Sequence, residues 1–204
     1  MAGKPRRDEA FEEKRRAILA AATKVFARKG YTGTRVGDIA TEAGIAYGLI
    51  YHYFQNKEDI LNSLFQRTWK LTLKVIEDIG QQGGDLRSKL RGIASFFLEA
   101  WKLDPDTVEV VVIEVIRSPK FLEAANLSEF RKTFVLLEKI LLAHPDELRE
   151  GVDPRMAAVL FMGSLEILLT GFVAREFLAE DGFEGVNTLD SIVDTFLHGI
   201  ALPA

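Results

Sequence analysis

The 204 residues suffice for one large domain or two small ones, and 48% hydrophobic with 27% charged residues is the content of an ordinary folded protein, which excludes a disordered chain. Cysteine is absent, so a disulfide framework, a thiolate metal site and a cysteine nucleophile are excluded. The net charge of -4 is uneven: residues 1–56 carry 10 Lys/Arg against 6 Asp/Glu, a net +4, and residues 57–204 carry 16 against 24, a net -8. A basic head on an acidic body suits a polyanionic partner, and chance segregation of solvated charge gives the same pattern. No apolar stretch follows the charged N-terminus, and the longest apolar runs, near 108–113 and 167–174, fall short of the ~20 residues of a membrane span. A cytoplasmic protein without membrane contact is expected.

Helical periodicity runs through the chain. Phe11, Ile18, Ala22, Val25 and Phe26 form one stripe of a first helix over about 8–29, stopped by Gly30. Thr34 is a candidate N-cap for a second helix over about 35–43, which buries Val36, Ile39 and Ala40. Gly44-Ile45-Ala46 is a turn, and a short third helix covers about 47–54. Asn56, with Asp59 three residues on, caps a long fourth helix that carries Leu61, Leu64, Leu71, Val75 and Ile79 and ends near Gly80. After the break at 81–85 come a fifth helix to about Leu103 and a sixth over about 105–117, opened by Asp104-Pro105. The sixth contains VEVVVIEVI, which favours a strand on propensity, but a lone strand between helices has no partner. A helical stretch from Pro119 to about His144, with a candidate interruption near Asn126, is followed by a helix from Asp153-Pro154 to about Phe177, a loop over 180–187, and a last helix over about 189–202. The expected fold class is all-α.

The second helix, the Gly44 turn and the third helix have helix-turn-helix spacing, whose second helix enters the DNA major groove. On that helix Ile50 and Phe54 suit packing inward, leaving Tyr47, Gly48, Leu49, Tyr51 and His52 for other faces. Gly48 permits close backbone approach, and Tyr and His can donate to phosphates. The run TRVGDIATEAGIAYGLIYHYFQNKEDIL, 34–61, together with AAATKVFARKGYTGT before it, resembles the DNA-binding head of the TetR family of bacterial transcriptional repressors. The features that carry the likeness are an alcohol at Thr34, Ile39-Ala40, Ala43-Gly44, the Gly48 to Phe54 core and Lys57-Glu58. The resemblance implies phosphate or cap contacts for Thr34, Tyr51, His52 and Lys57, and base-edge or groove contacts for Arg35, Tyr47, Gly48 and Leu49. Many members have Thr where this chain has Leu49, which cannot hydrogen-bond a base but can touch a thymine methyl. Tyr47 alternatively covers the fourth helix, and Lys4, Arg6 and Arg7 form either a solvated tail or a phosphate-reaching arm.

The resemblance further implies an N-terminal helix-turn-helix domain over 1–56 and a helical ligand-binding and dimerisation domain over 57–204, the helix from 57 linking the two. The expected partners are double-stranded, palindromic operator DNA, a second copy of the chain in a homodimer, and a small hydrophobic effector. Trp69, Phe97, Trp101, Ile113, Phe134, Phe161 and Leu165 are the candidate effector contacts; an ordinary core accounts for the same apolar side chains. Gly163, Leu168, Gly171 and Phe196 are the candidate dimer residues, because small residues let helices approach closely. Glu166 interrupts that stripe as a solvent-facing residue or a polar anchor. Similarity to family members that regulate fatty-acid metabolism points to a fatty acyl chain or acyl-CoA. The alternatives are a flat hydrophobic drug sensed by an efflux regulator and a dimer that binds DNA without a ligand. No nucleophile elbow, P-loop, HExxH or dinucleotide fingerprint is present, so no enzyme, cofactor or metal is expected; Asp194 and His198 at i, i+4 suit an acid/base or metal pair but more often form a surface hydrogen bond, and no spacing supports a metal at His144 or His198.

Overall fold

The computed structural model describes residues 4–117, 124–174 and 188–200, and among these every regular element is helical. In chain order they are α1 (Lys4–Gly33), α2 (Val36–Glu42), α3 (Tyr47–Tyr53), α4 (Lys57–Gln81), α5 (Leu86–Leu103), α6 (Pro105–Arg117), α7 (Ala124–Leu142), α8 (Pro154–Ala174) and α9 (Thr188–Ile200), with a 3-10 turn at Pro145–Glu147. The helix start expected at Pro119 and the 180–187 loop lie outside the described residues, and α7 runs unbroken through Asn126, where the sequence suggests an interruption. α1 begins earlier than its apolar stripe suggests, at Lys4, and Gly30 kinks it with a left-handed φ of 69°.

Three caps follow the sequence signals: the Asn56 side chain accepts from the Asp59 N–H at 2.8 Å, that of Asp104 from Thr107 at 3.2 Å, and that of Asp153 from Arg155 at 2.8 Å. Asp85, not singled out in the sequence, caps α5 by accepting from the Ser88 N–H at 2.9 Å. Thr34 differs. It is 2% exposed, and its hydroxyl donates back to the Gly30 carbonyl at 2.8 Å, so it closes the end of α1 instead of capping α2. Residue 35 is the N-cap, and its N–H donates to the Asp38 carboxylate at 2.9 Å. The β-branched run of α6 is helical because tertiary packing overrides propensity: α6 lies between α1 and α8 and buries Val110 and Val112.

Two hydrophobic cores share α4. The first gathers Ile18, Ala22, Val25 and Phe26 of α1 with Ile39, Ile50, Phe54, Leu61, Phe65 and Trp69, and it takes in Val110 of α6. The second surrounds Ile76 with Leu86, Leu90, Ile93, Leu137, Leu141, Phe161, Leu165 and Val193. The buried stripe of α4 therefore runs through Ile60, Leu64, Trp69, Thr72 and Ile76, whereas Leu71, expected on it, is exposed. At its far end α4 is capped by Lys89 of α5. This lysine is only 5% exposed, and its ammonium donates to the carbonyls of Ile79 (3.2 Å), Gly80 (3.0 Å) and Gln82. The Gly80 and Gln82 carbonyls end the helix without intrahelical partners, that of Ile79 also accepts from the Gln82 N–H at 3.2 Å, and a cation there opposes the negative end of the helix dipole. The Glu147 carboxylate likewise accepts from the Leu86 N–H at 3.0–3.1 Å at the start of α5. Arg91 pairs with Asp190 at 2.7 Å and Arg87 with Asp194, fastening α9 to α5. Asp194 is thus committed to an arginine, and the His198 ring bonds the Asp194 carbonyl at 2.6 Å, so the two do not form an acid/base or metal pair.

α8 differs from the sequence reading in one respect. Its 21 residues carry only two charges, Arg155 and Glu166, and an 18-residue stretch of them reaches a mean hydropathy of 2.0, long and apolar enough to cross a membrane. One face is buried through Ala158, Phe161 and Leu165. The opposite face leaves Met156, Val159, Leu160 and Ile167 exposed.

Candidate DNA-binding head and effector cavity

Gly44 makes the turn between α2 and α3 with φ of 64°. Ile50 and Phe54 anchor α3 on the first core, which presents Tyr47 (55% exposed), Gly48, Leu49 and Tyr51 (46% exposed) outward. The Tyr47 and Tyr51 hydroxyls hydrogen-bond at 2.7 Å with their rings edge to face, and this bond raises the Tyr51 pKa above the usual phenol value. An added Cβ at Gly48 meets nothing within 4 Å, so the glycine leaves open space at the surface. His52 is exposed, and its ring touches Phe11 and Tyr53, so the start of α1 rests on the end of α3. Asp38 accepts from Lys29 at 2.8 Å; that bond and the Arg35 N–H hold its carboxyl below the usual range.

Two expected phosphate contacts point inward. Thr34 is buried as described above. Lys57 donates to the carbonyls of Tyr31 at 2.7 Å and Thr34 at 2.8 Å and lies over the Tyr31 ring, and desolvation lowers its pKa. Both fasten the head together. The backbone groups they satisfy close the corner between α1 and α2, which a sequence pattern does not display. Arg15 acts similarly: its guanidinium donates to Ser63 Oγ at 2.8 Å and lies over the Phe54 ring.

Below the head lies a cavity of about 870 Å³, walled by α1 and α4 through α8. That is within the range of small-molecule sites. Of the candidate effector residues, Trp69, Phe97, Phe134 and Leu165 line it. Trp101, Ile113 and Phe161 do not: Trp101 stacks on Phe172, Phe161 is fully buried against Phe196, and Ile113 is half-buried away from the cavity. Trp69, Phe130 and Phe134 form a chain of edge-to-face rings along one wall. The sequence reading missed Lys24, Arg67, Gly92, Ser95 and Met162, because these face the space between helices instead of forming an apolar stripe. Glu166 also lines the cavity. Although it is exposed as a residue, burial at its carboxyl raises its pKa.

On α8, Gly163 is exposed and a Cβ there meets nothing within 4 Å, whereas Gly171 is buried and Leu168 half-buried. Phe196 is half-buried on Phe161. Gly171 and Phe196 therefore serve the protomer's own core, and the open face beside Gly163 is that of Val159, Leu160 and Ile167.

A helix-turn-helix head joined by one long helix to a helical body that encloses a cavity defines a DNA-binding transcriptional regulator of the ligand-responsive kind. Residues 18–64, from α1 into α4, match the sequence model of the bacterial regulatory proteins of the tetR family. It is 29% identical over 186 residues to the fatty acid metabolism regulator protein of Bacillus subtilis, an alignment that covers 90% of this chain and 93% of that one. Among solved structures, the fatty acid degradation regulator FadR of Bacillus halodurans superposes with a TM-score of 0.75 at 26% identity, covering 91% of this chain and 93% of that one. FadR of Bacillus subtilis in complex with stearoyl-CoA superposes with a TM-score of 0.74 at 27% identity, covering 89% and 95%.

Proposed function

We propose that the protein is a homodimeric repressor that binds a palindromic operator through α3 and leaves it when a long-chain fatty acyl-CoA fills the cavity. The observation that carries this reading is the 870 Å³ cavity, whose walls include both the head helix α1 and the body helix α8, in a chain similar along nearly its whole length to a fatty acid regulator. Its aromatic and aliphatic wall suits an acyl chain, and the likeness to a protein solved with stearoyl-CoA supports that ligand class. The exposed apolar face of α8 supports a dimer: a second copy laid against it removes Leu160 and Ile167 from water and gives the two-fold symmetry that a palindrome requires. The head over 1–56 acts as the DNA-binding domain and the remainder as sensor and dimer element, in a regulator working in the cytoplasm without catalysis.

For release, the ligand must favour the arrangement that does not fit DNA, and operator must in turn weaken ligand binding by the same factor. The test is a parallel titration of Trp fluorescence and of labelled operator with acyl-CoAs of several lengths beside flat hydrophobic drugs. Acyl-CoA should change the fluorescence and free the operator over one concentration range. Release by the flat compounds alone would replace the acyl reading with the drug reading, and binding of neither class would remove the sensor.

A further inference from the structure

The charges that line the cavity are divided by element. The cations are Lys24 on α1 and Arg67 on α4; the carboxylates Glu99, Asp104 and Asp106 stand on α5 and at the α5–α6 corner, and Glu166 stands on α8. Neither cation has a partner within the described residues. Three other basic residues of α1 are engaged: Arg15 donates to Ser63, Arg28 pairs with Glu42 and Lys29 with Asp38. Lys24 and Arg67 are both exposed, as the rim of a cavity must be if it meets a ligand's hydrated end, while Leu64 and Trp69 beside them on α4 are buried.

We propose that Lys24 and Arg67 form an anion-binding rim that takes the phosphates of the effector's carrier end, so that the acyl chain enters the apolar interior and the charged end stays at the α1–α4 edge. This rests on the acyl-CoA reading and deepens it. An acyl thioester of CoA is apolar at one end and carries several phosphate charges at the other, and a guanidinium forks onto phosphate while an ammonium serves as a point charge. The carboxylates Glu99, Asp104 and Asp106 repel the phosphates, so the ligand's charged end settles at the two cations. Since Lys24 belongs to the head helix and Arg67 to the linking helix, the bound phosphates bear on the DNA-binding head directly.

The test measures binding of palmitoyl-CoA, S-palmitoylpantetheine and free palmitate to wild type and to the Lys24→Gln/Arg67→Gln double variant, without DNA. Palmitoylpantetheine keeps the chain and the thioester but has no phosphate. The double variant should bind palmitoyl-CoA at least tenfold more weakly and palmitoylpantetheine as wild type does. The wild-type preference for the CoA ester should shrink as salt rises. Unchanged palmitoyl-CoA affinity in the variant overturns the rim, and so does an equal loss for both thioesters, which means a damaged cavity. A loss confined to palmitate makes the rim a carboxylate site and overturns the phosphate assignment. Wild type binding none of the three removes the acyl reading itself, an outcome distinct from failure of the rim.

Discussion

Lys57 and Tyr31 are joined twice: the lysine ammonium donates to the tyrosine carbonyl at 2.7 Å and lies 4.4 Å from the centre of its ring. With the bond to the Thr34 carbonyl, this ties the first turn of α4 to the corner where α1 gives way to α2. Lys57→Met should cost about 1–2 kcal/mol, the worth of charge-assisted hydrogen bonds at a half-buried site. Operator affinity should fall because the head shifts on α4, with the salt dependence of binding unchanged. Denaturant melts and binding at several salt concentrations measure both. A salt slope lower by about one would instead return Lys57 to the phosphate role read from the sequence.

Gly44→Ala places a Cβ on a residue with φ of 64°, which costs roughly 1–2 kcal/mol for an L residue. The strain falls on the turn that aims α3, so operator binding should weaken while acyl-CoA affinity stays as in wild type. Equal loss of the two would show that the turn is not a local feature of the head.

Glu166 has its carboxyl pKa raised by burial, so the folded protein holds this proton more tightly than the unfolded chain does. The folded form then binds more protons between the ordinary glutamate pKa and the raised one, and its stability falls as pH rises through that window. Glu166→Gln removes the dependence. The variant should melt with wild type near pH 4 and above it at pH 8. A Tm difference that does not change with pH would refute the assignment.

Gly163→Arg tests assembly. A Cβ at 163 meets nothing within 4 Å among the described residues and the position is exposed, so helicity should be kept while sedimentation shows monomers and operator affinity drops. A dimer that survives this substitution would place the interface elsewhere.

The helices were legible because their determinants are local. Asn56, Asp104 and Asp153 sit at helix starts as side-chain caps, and Gly30 and Gly44 carry the positive φ that their turns require. The outward face of α3 followed from Ile50 and Phe54 pointing in. What depends on where helices meet was not legible. Thr34 looked like a cap and Lys57 like a phosphate ligand, because nothing in the sequence reveals that the carbonyls of Gly30 and Tyr31 need donors. Phe161 and Trp101 have the composition of cavity residues, but the pocket passes them by and takes Gly92 and Ser95 instead. Gly171 and Gly163 are indistinguishable as letters, yet only the latter faces outward. Lys89, a charged residue in an amphipathic helix, gives no sign that it is buried on the end of α4.

Lys89 also sets the mechanics of α4. The helix spans 25 residues, about 37 Å at its standard rise, and its last carbonyls are held by a buried ammonium, so on the proposed release mechanism its far end is the pivot and its near end, held by Lys57, carries the head as a load. Trp69, where the cavity presses on it, lies close to midway. A rigid lever pushed at its middle moves its tip about twice as far, so a 1 Å displacement at Trp69 becomes about 2 Å at each head. Two such levers in a symmetric pair alter the separation of their tips by up to about 4 Å, against a groove repeat of about 34 Å that does not yield by that amount.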